Sequence, residues 1–210
     1  MSEVAVLKPE RRTQAARSAS TRARLLDATI ECLNELGYAH TTTPEVARRA
    51  GVSRGAQLHH FPTKAELVSN AIEHLFARRH EEFLAAIAAL PASADRASAA
   101  IDLLWSMISG PTFYAWLEMA VAARTDPELR SRFEALSGGF AATIDRTFRD
   151  ILPPAAPGPD LFYDAAPKFV FALLDGLALH RIQSPDDSTV GEVLGALKAL
   201  AQLVGLSQRE

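Results

Sequence analysis

The sequence predicts an all-α protein: an N-terminal three-helix unit containing a helix-turn-helix, then a larger helical body, about nine helices in all. Apolar residues recur at three-to-four spacing through most of the chain, and no stretch alternates as a strand would or carries a hairpin turn. Helix starts and stops divide that pattern at short intervals, as at Thr42-Thr43-Pro44-Glu45, Gly110-Pro111 and Asp126-Pro127-Glu128. With 210 residues, 48% hydrophobic and 22% charged, the chain can bury a sizeable core in one or two domains.

Three regions are expected: 1–17, 18–63 and 64–210. Residues 1–17 lack periodicity and carry Lys8, Arg11, Arg12 and Arg17, which reads as a flexible basic arm able to track a phosphate or reach a minor groove. A first helix should run from a cap at Ser20 or Thr21 to Leu36, burying Leu25, Leu26, Thr29, Ile30, Cys32 and Leu33. Gly37 stops it, and Tyr38 packs under the second and third helices.

Thr42 and Glu45 form a capping box, so a second helix should begin at Thr43 with Pro44 in its first turn. Val46, Ala47 and Ala50 face inward there, and Arg48 and Arg49 outward. Gly51 ends that helix, Val52 plugs the corner, and Ser53 caps a third helix over residues 54–61. Pro62 closes it, and Thr63 with Glu66 opens the next. Helix, glycine-containing turn, helix is the arrangement that places its second helix in a DNA major groove.

The block A-x-x-A-G-V-S-x-G at residues 47–55, followed by H-x-F-x-x-K at residues 59–64, resembles the DNA-binding domain of the tetracycline-repressor (TetR) family of bacterial transcription regulators. Leu25-Leu26-x-Ala28 and Gly37-Tyr38 extend the resemblance, which covers about the first third of the chain. It implies a homodimer paired through the last two helices, a palindromic double-stranded DNA operator, and a small-molecule effector within the helical body. The DNA-contacting candidates are Thr42, Thr43, Arg54, Gly55, Ala56, Gln57, Leu58, His59, His60 and Lys64. Arg54 and His59 or His60 would meet phosphates or bases, and Thr42 and Lys64 phosphates.

One pair departs from the family pattern. Where Leu-Tyr is usual, this chain has Gln57-Leu58. Gln57 shares a face with Phe61, four residues on, so it belongs near the buried side and Leu58 toward solvent or DNA. Gln57 either bonds a neighbouring backbone group or swings out to an adenine edge or a phosphate. Leu58 can touch a thymine methyl.

The body reads as six helices. The first, residues 64–90, forms a rod of ~40 Å. Others occupy residues 95–109 (cap at Asp95 or Ser93), 113–124, 127–151, 161–183 and 189–206. Gly138-Gly139 is a potential bend, and Pro167 a potential kink or later start. The last two helices are rich in apolar and small residues. Leu177, Leu194, Leu197 and Leu200 are the candidate dimer contacts. Trp105, Phe113, Trp116, Met119 and Phe169 are candidate ligand-binding residues, with Arg124 and His180, alongside Glu118 and Asp175, as orienting polar groups. Packed core is the competing reading for each apolar one.

Net charge is −3, distributed as +4 over residues 1–64 and −7 beyond. A basic N-terminal third on an acidic body localises attraction for phosphate. The lone Cys32 fits a reducing cytoplasm. No apolar run reaches the ~20 residues a membrane helix needs, and the basic, polar N-terminus lacks a signal-peptide core.

An enzyme is not expected, nor a cofactor or metal. The six histidines show no zinc spacing, and no G-x-S-x-G, Walker or dinucleotide loop occurs. The carboxylate pairs Glu81-Glu82 and Asp186-Asp187 read as solvated. The expected function is a transcriptional regulator, a repressor released by a small, mostly apolar ligand. The alternative is a helix-turn-helix module without a ligand, acting as a constitutive repressor or protein-recruiting factor.

Overall fold

A computed structural model of the chain describes residues 13–91, 95–154, 160–184 and 188–207. They form an all-α structure of nine helices with no strand: α1 (Gln14–His40), α2 (Thr43–Arg49), α3 (Arg54–His60), α4 (Lys64–Ala88), α5 (Arg96–Ile108), α6 (Pro111–Ala123), α7 (Pro127–Ile151), α8 (Leu161–Gln183) and α9 (Ser188–Ser207). Most of the expected basic arm, the alternative cap Ser93 and the acidic pair Asp186-Asp187 lie outside the described residues. No helix among the described residues is long and apolar enough to cross a membrane.

Side-chain caps set most helix starts. Thr42, Ser53, Thr63 and Asp126 accept hydrogen bonds from the backbone N–H groups of Glu45, Ala56, Glu66 and Leu129. α1 begins earlier than the apolar stripe suggests. Thr13 caps it at Ala16 N–H, and the exposed, alanine-rich turns after it are held by helix propensity rather than burial. Pro167 sits buried inside α8, which runs on from Leu161, and α7 is a single helix across Gly138-Gly139.

Three apolar clusters hold the helices together. Leu25, Leu26, Cys32, Val46 and Phe61 of α1–α3 close on Leu67 and Ala71 of α4. Leu33 and the next α4 stripe, Val68, Ile72 and Leu75, close on Ala115 and Met119 of α6 and Leu129 of α7. Ile101 of α5 joins Leu174 and Leu177 of α8 to Val190, Leu194 and Leu197 of α9. α4 and α7 run side by side in the same direction. Thr63 Oγ1 donates to Glu128 at 3.0 Å, the Phe76 and Phe140 rings stack at 4.4 Å, and His80 Nε2 lies 2.8 Å from Thr147 Oγ1.

α1 is not straight. Gly37 takes φ 72°, ψ 170°, and the chain turns before a final short helical segment. Beside it, Glu118 of α6 accepts the Tyr38 N–H at 2.6 Å, and a Cβ on Gly37 would lie 3.1 Å from Glu118 Oε2. The backbone angle favours glycine, and the close carboxylate would have to shift by a few tenths of an ångström to admit a Cβ.

Replacing Gly37 with Ala is expected to cost about 1–3 kcal/mol, read as a lower urea midpoint at unchanged slope. An unmoved midpoint would show that the kink relaxes freely. A second expectation concerns pH. Hydrogen bonds from Arg48 and Arg49 hold the Glu45 carboxyl down to about 2, from 4.5. An acid depressed on folding stabilises above its unfolded value and loses that contribution as pH falls toward the folded one. Glu45→Gln should thus melt below wild type at neutral pH and converge on it between pH 4.5 and 2. A gap that stays constant over that range would rule out the charge as its cause.

Candidate DNA interface and internal cavity

The turn between α2 and α3 is built from backbone. Gly51 takes φ 60°, Val52 N–H donates to Ala47 O at 2.9 Å, and Arg24 of α1 donates to Gly51 O at 2.8 Å. That fixes α3 against α1. Arg48 and Arg49 are neutralised within the chain, the first by Glu45 and the second by Glu45 and Glu35. The charges that α2 presents outward are thereby largely spent.

α3 turns Arg54, Gly55, Leu58 and His59 to the exterior, with Ala56 and His60 half-buried. The side chain of Gln57 is fully buried, its Nε2 donating to Phe61 O at 2.8 Å, and its Oε1 has no partner. Of the two alternatives for Gln57, the backbone bond is the one observed. Phe61 is also buried, with the Arg22 guanidinium 4.8 Å over its ring. Thr42 is exposed, its hydroxyl capping α2, and Thr43 is half-buried. Lys64 is half-buried; its ammonium donates to Tyr38 O at 2.5 Å and lies 3.9 Å over the Tyr38 ring. Burial lowers the Lys64 pKa and raises that of Tyr38.

A cavity of about 2040 Å³ opens in the helical body between α4, α5, α7, α8 and α9. Phe76 of α4, Phe140 of α7 and Phe171 of α8 form an aromatic floor, with rings 4.4 and 5.6 Å apart. Beyond it, Phe148 and Tyr163 meet at 5.0 Å. The His80–Thr147 pair is a polar bridge in this wall.

Of the ligand-binding candidates, Phe169 lines the cavity. Trp116 stands beside its floor, 5.3 Å from Phe76 and 4.5 Å from Phe133. Met119 and Phe113 are buried, and Trp105 packs on the α5–α8–α9 cluster. Arg124 is exposed at the end of α6, its carbonyl accepting from Arg130. His180 is half-buried near the end of α8, Asp175 is exposed, and Glu118 is held at Tyr38. The wall residues Phe76, His80 and Thr147 are not among the ligand-binding candidates that the sequence offers. Their signal is the spacing of Phe76, His80 and Phe83 along α4, a stripe beside the one that feeds the core.

Leu177, Leu194 and Leu197 are turned into the chain's own core, and Leu200 is exposed. Leu200 and Phe169 are exposed at the cavity lining, and Leu179, Ile182 and Leu203 leave α8 and α9 with apolar outer sides. A Cβ on Gly176, Gly191 or Gly195 would meet nothing within 4 Å.

Two family models match the chain: "Bacterial regulatory proteins, tetR family" over residues 25–71 and "BetI-type transcriptional repressor, C-terminal" over residues 94–204. An uncharacterized HTH-type transcriptional regulator of Mycobacterium tuberculosis strain H37Rv is 32% identical over 189 residues, 90% of this chain and 96% of that protein. The crystal structure of a transcriptional regulator from Pseudomonas aeruginosa PAO1 shares the fold with a TM-score of 0.69 at 24% identity, covering 94% of this chain and 99% of that one. A regulator from Saccharomonospora viridis, solved in complex with choline, has a TM-score of 0.67 at 18% identity over 88% of this chain and 96% of its own.

Proposed function

Since the chain belongs to the TetR family of bacterial transcriptional regulators, with a BetI-type C-terminal half, we propose that it is a homodimeric repressor of the cytoplasm, released from a palindromic operator by a small, mostly apolar ligand. The observation that carries this reading is the coexistence of two surfaces on one rod. α4 begins directly after the α3 face of Arg54, Gly55, Leu58 and His59, and twelve residues on, at Phe76, it supplies the aromatic floor of the cavity. A regulator of this family is not an enzyme, and the cavity is read as a binding site.

Arg54 and His59 would meet bases or phosphates from the exposed face of α3, with Thr42 at a phosphate. The cavity exceeds the roughly 300–1,000 Å³ of an ordinary ligand pocket, so the effector would fill part of it against Phe76 and Phe140. The solved regulator from Saccharomonospora viridis holds a small molecule on the same fold. The exposed apolar sides of α8 and α9, notched at Gly176, Gly191 and Gly195, suit close pairing with a second copy. In such a dimer, the recognition helices would meet major grooves about 34–36 Å apart or a multiple of that.

Arg54→Ala is expected to weaken binding to an operator selected from random duplexes and, where Arg54 reads a guanine, to relax preference there by roughly 1–3 kcal/mol. Undiminished affinity would reject the register assigned to α3. For the dimer, Leu203→Glu, on the exposed side of α9 and outside the cavity lining, should shift the light-scattering mass from two chains toward one. A wild-type mass of one chain at micromolar concentration would refute the pairing. For the switch, a ligand found by thermal shift should lower operator affinity about 5–150-fold. Equal affinity with and without ligands that occupy the cavity would leave the constitutive reading.

A further inference from the structure

Leu58 belongs to none of the buried clusters among the described residues of the chain. It is 44% exposed, and among the described residues up to Phe83 no other large hydrophobic side chain is left so open. It stands on α3 one turn from Arg54 and Gly55, on the side that faces away from the buried Gln57 and Phe61. An isolated exposed leucine is ordinary on a protein surface. This one occupies the middle of the face that the family reading turns to DNA.

Gly55 adds an independent observation. Its φ is not positive, and a Cβ built on it meets nothing within 4 Å. The chain itself therefore has no steric need of glycine there, in the first turn of α3. The missing side chain leaves a notch in the outer face of α3, on the same side as Leu58. Such a notch lets the helix backbone approach an external surface closely, which brings Leu58 within reach of whatever lies at the bottom.

In a major groove the choices are few. The edges of guanine, adenine and cytosine present hydrogen-bonding groups, and the thymine C5-methyl is the apolar feature. A leucine laid on a carbonyl or amino edge would strip water without replacing its hydrogen bonds. A leucine laid on a methyl buries both apolar groups at no such cost.

Resting on the proposed operator reading, we propose that Leu58 is a specificity-determining residue that packs on a thymine methyl in each operator half-site, the notch at Gly55 setting the depth of approach. The operator would then carry thymine at a fixed position next to the base or phosphate met by Arg54.

Deoxyuridine tests this, because it removes the methyl and leaves every hydrogen-bonding group of thymine in place. Duplexes would be selected from a random pool with the full-length protein. Each thymine of the consensus would then be replaced in turn by deoxyuridine in both half-sites, and affinity measured at one fixed salt concentration. For wild type, one position should lose about fifteenfold, about fourfold for the buried methyl of each half-site. Leu58→Ala, an exposed change that should leave thermal stability unmoved, should bind thymine and deoxyuridine duplexes equally at that position. Gly55→Ala should keep or raise thermal stability and still weaken binding to the thymine duplex.

Uniform tolerance of deoxyuridine by wild type overturns the inference while the selected consensus keeps the operator reading. An equal methyl effect in wild type and Leu58→Ala overturns it too, assigning the methyl to another residue. A pool that yields no consensus removes the operator reading and the inference together.

Discussion

α4 must complete two cores at once, and the rest of the structure depends on it. Leu67 and Ala71 close the cluster beneath the helix-turn-helix, and one residue further round, Val68 and Ile72 close the cluster shared with α6 and α7. One long helix and two seven-residue helices bury too little surface to be stable alone. They are stable here because α4 supplies their fourth wall. The recognition helix is thereby fixed to the body: the buried Phe61 ends α3, and three residues later Lys64 starts α4.

Tyr38 is where the two parts are tied. Its N–H goes to Glu118 of α6, its carbonyl accepts from Lys64 of α4, and Lys64 also covers its ring. Thr63 next door donates to Glu128 of α7. Three body helices thus converge on the kink at Gly37, and charged groups make each contact. Half-burial strengthens such bonds by lowering the local dielectric. The same burial engages Lys64 within the chain, where the sequence alone offers it to a phosphate.

The elements that sequence made legible are those set by local chemistry. Capping residues at Thr42, Ser53, Thr63, Asp126 and Asp160 placed helix starts, because a cap is a short-range hydrogen bond. The inward side of Gln57 came from its four-residue spacing to Phe61. The early start of α1 was not legible from periodicity, since those turns bury nothing. Nor was the split among the α9 leucines. Steps of three residues fall about 60° short of a turn, so Leu194 and Leu197 face the core while Leu200 has walked round to the exposed cavity lining. Cavity and core share one composition, and what separates Phe76 from Leu75 is which helix stands opposite. That pairing depends on the parallel course of α4 and α7.

That course also bears on the proposed switch. α4 and α7 are joined at one end by Thr63–Glu128 and, further along, by Phe76–Phe140 and His80–Thr147. The second group of contacts forms the cavity wall, 13 to 17 residues from the first, or about 20–25 Å at 1.5 Å per residue. A ligand that wedges the wall open by about 1 Å would tilt α4 by roughly 3° about its tied end. The core beneath the helix-turn-helix shares α4 through Leu67 and Ala71, so it would move with that tilt rather than absorb it. Opposite tilts in two subunits would change the separation of their recognition helices, which the DNA repeat holds to about 34–36 Å or a multiple. In the proposed switch the pivot would lie beside the DNA-reading unit and the wedge far from it, so that a small force at the cavity wall would have a long arm on which to act. A wedge placed close to the pivot would reach the same angle with a smaller displacement, but against a correspondingly larger resisting force.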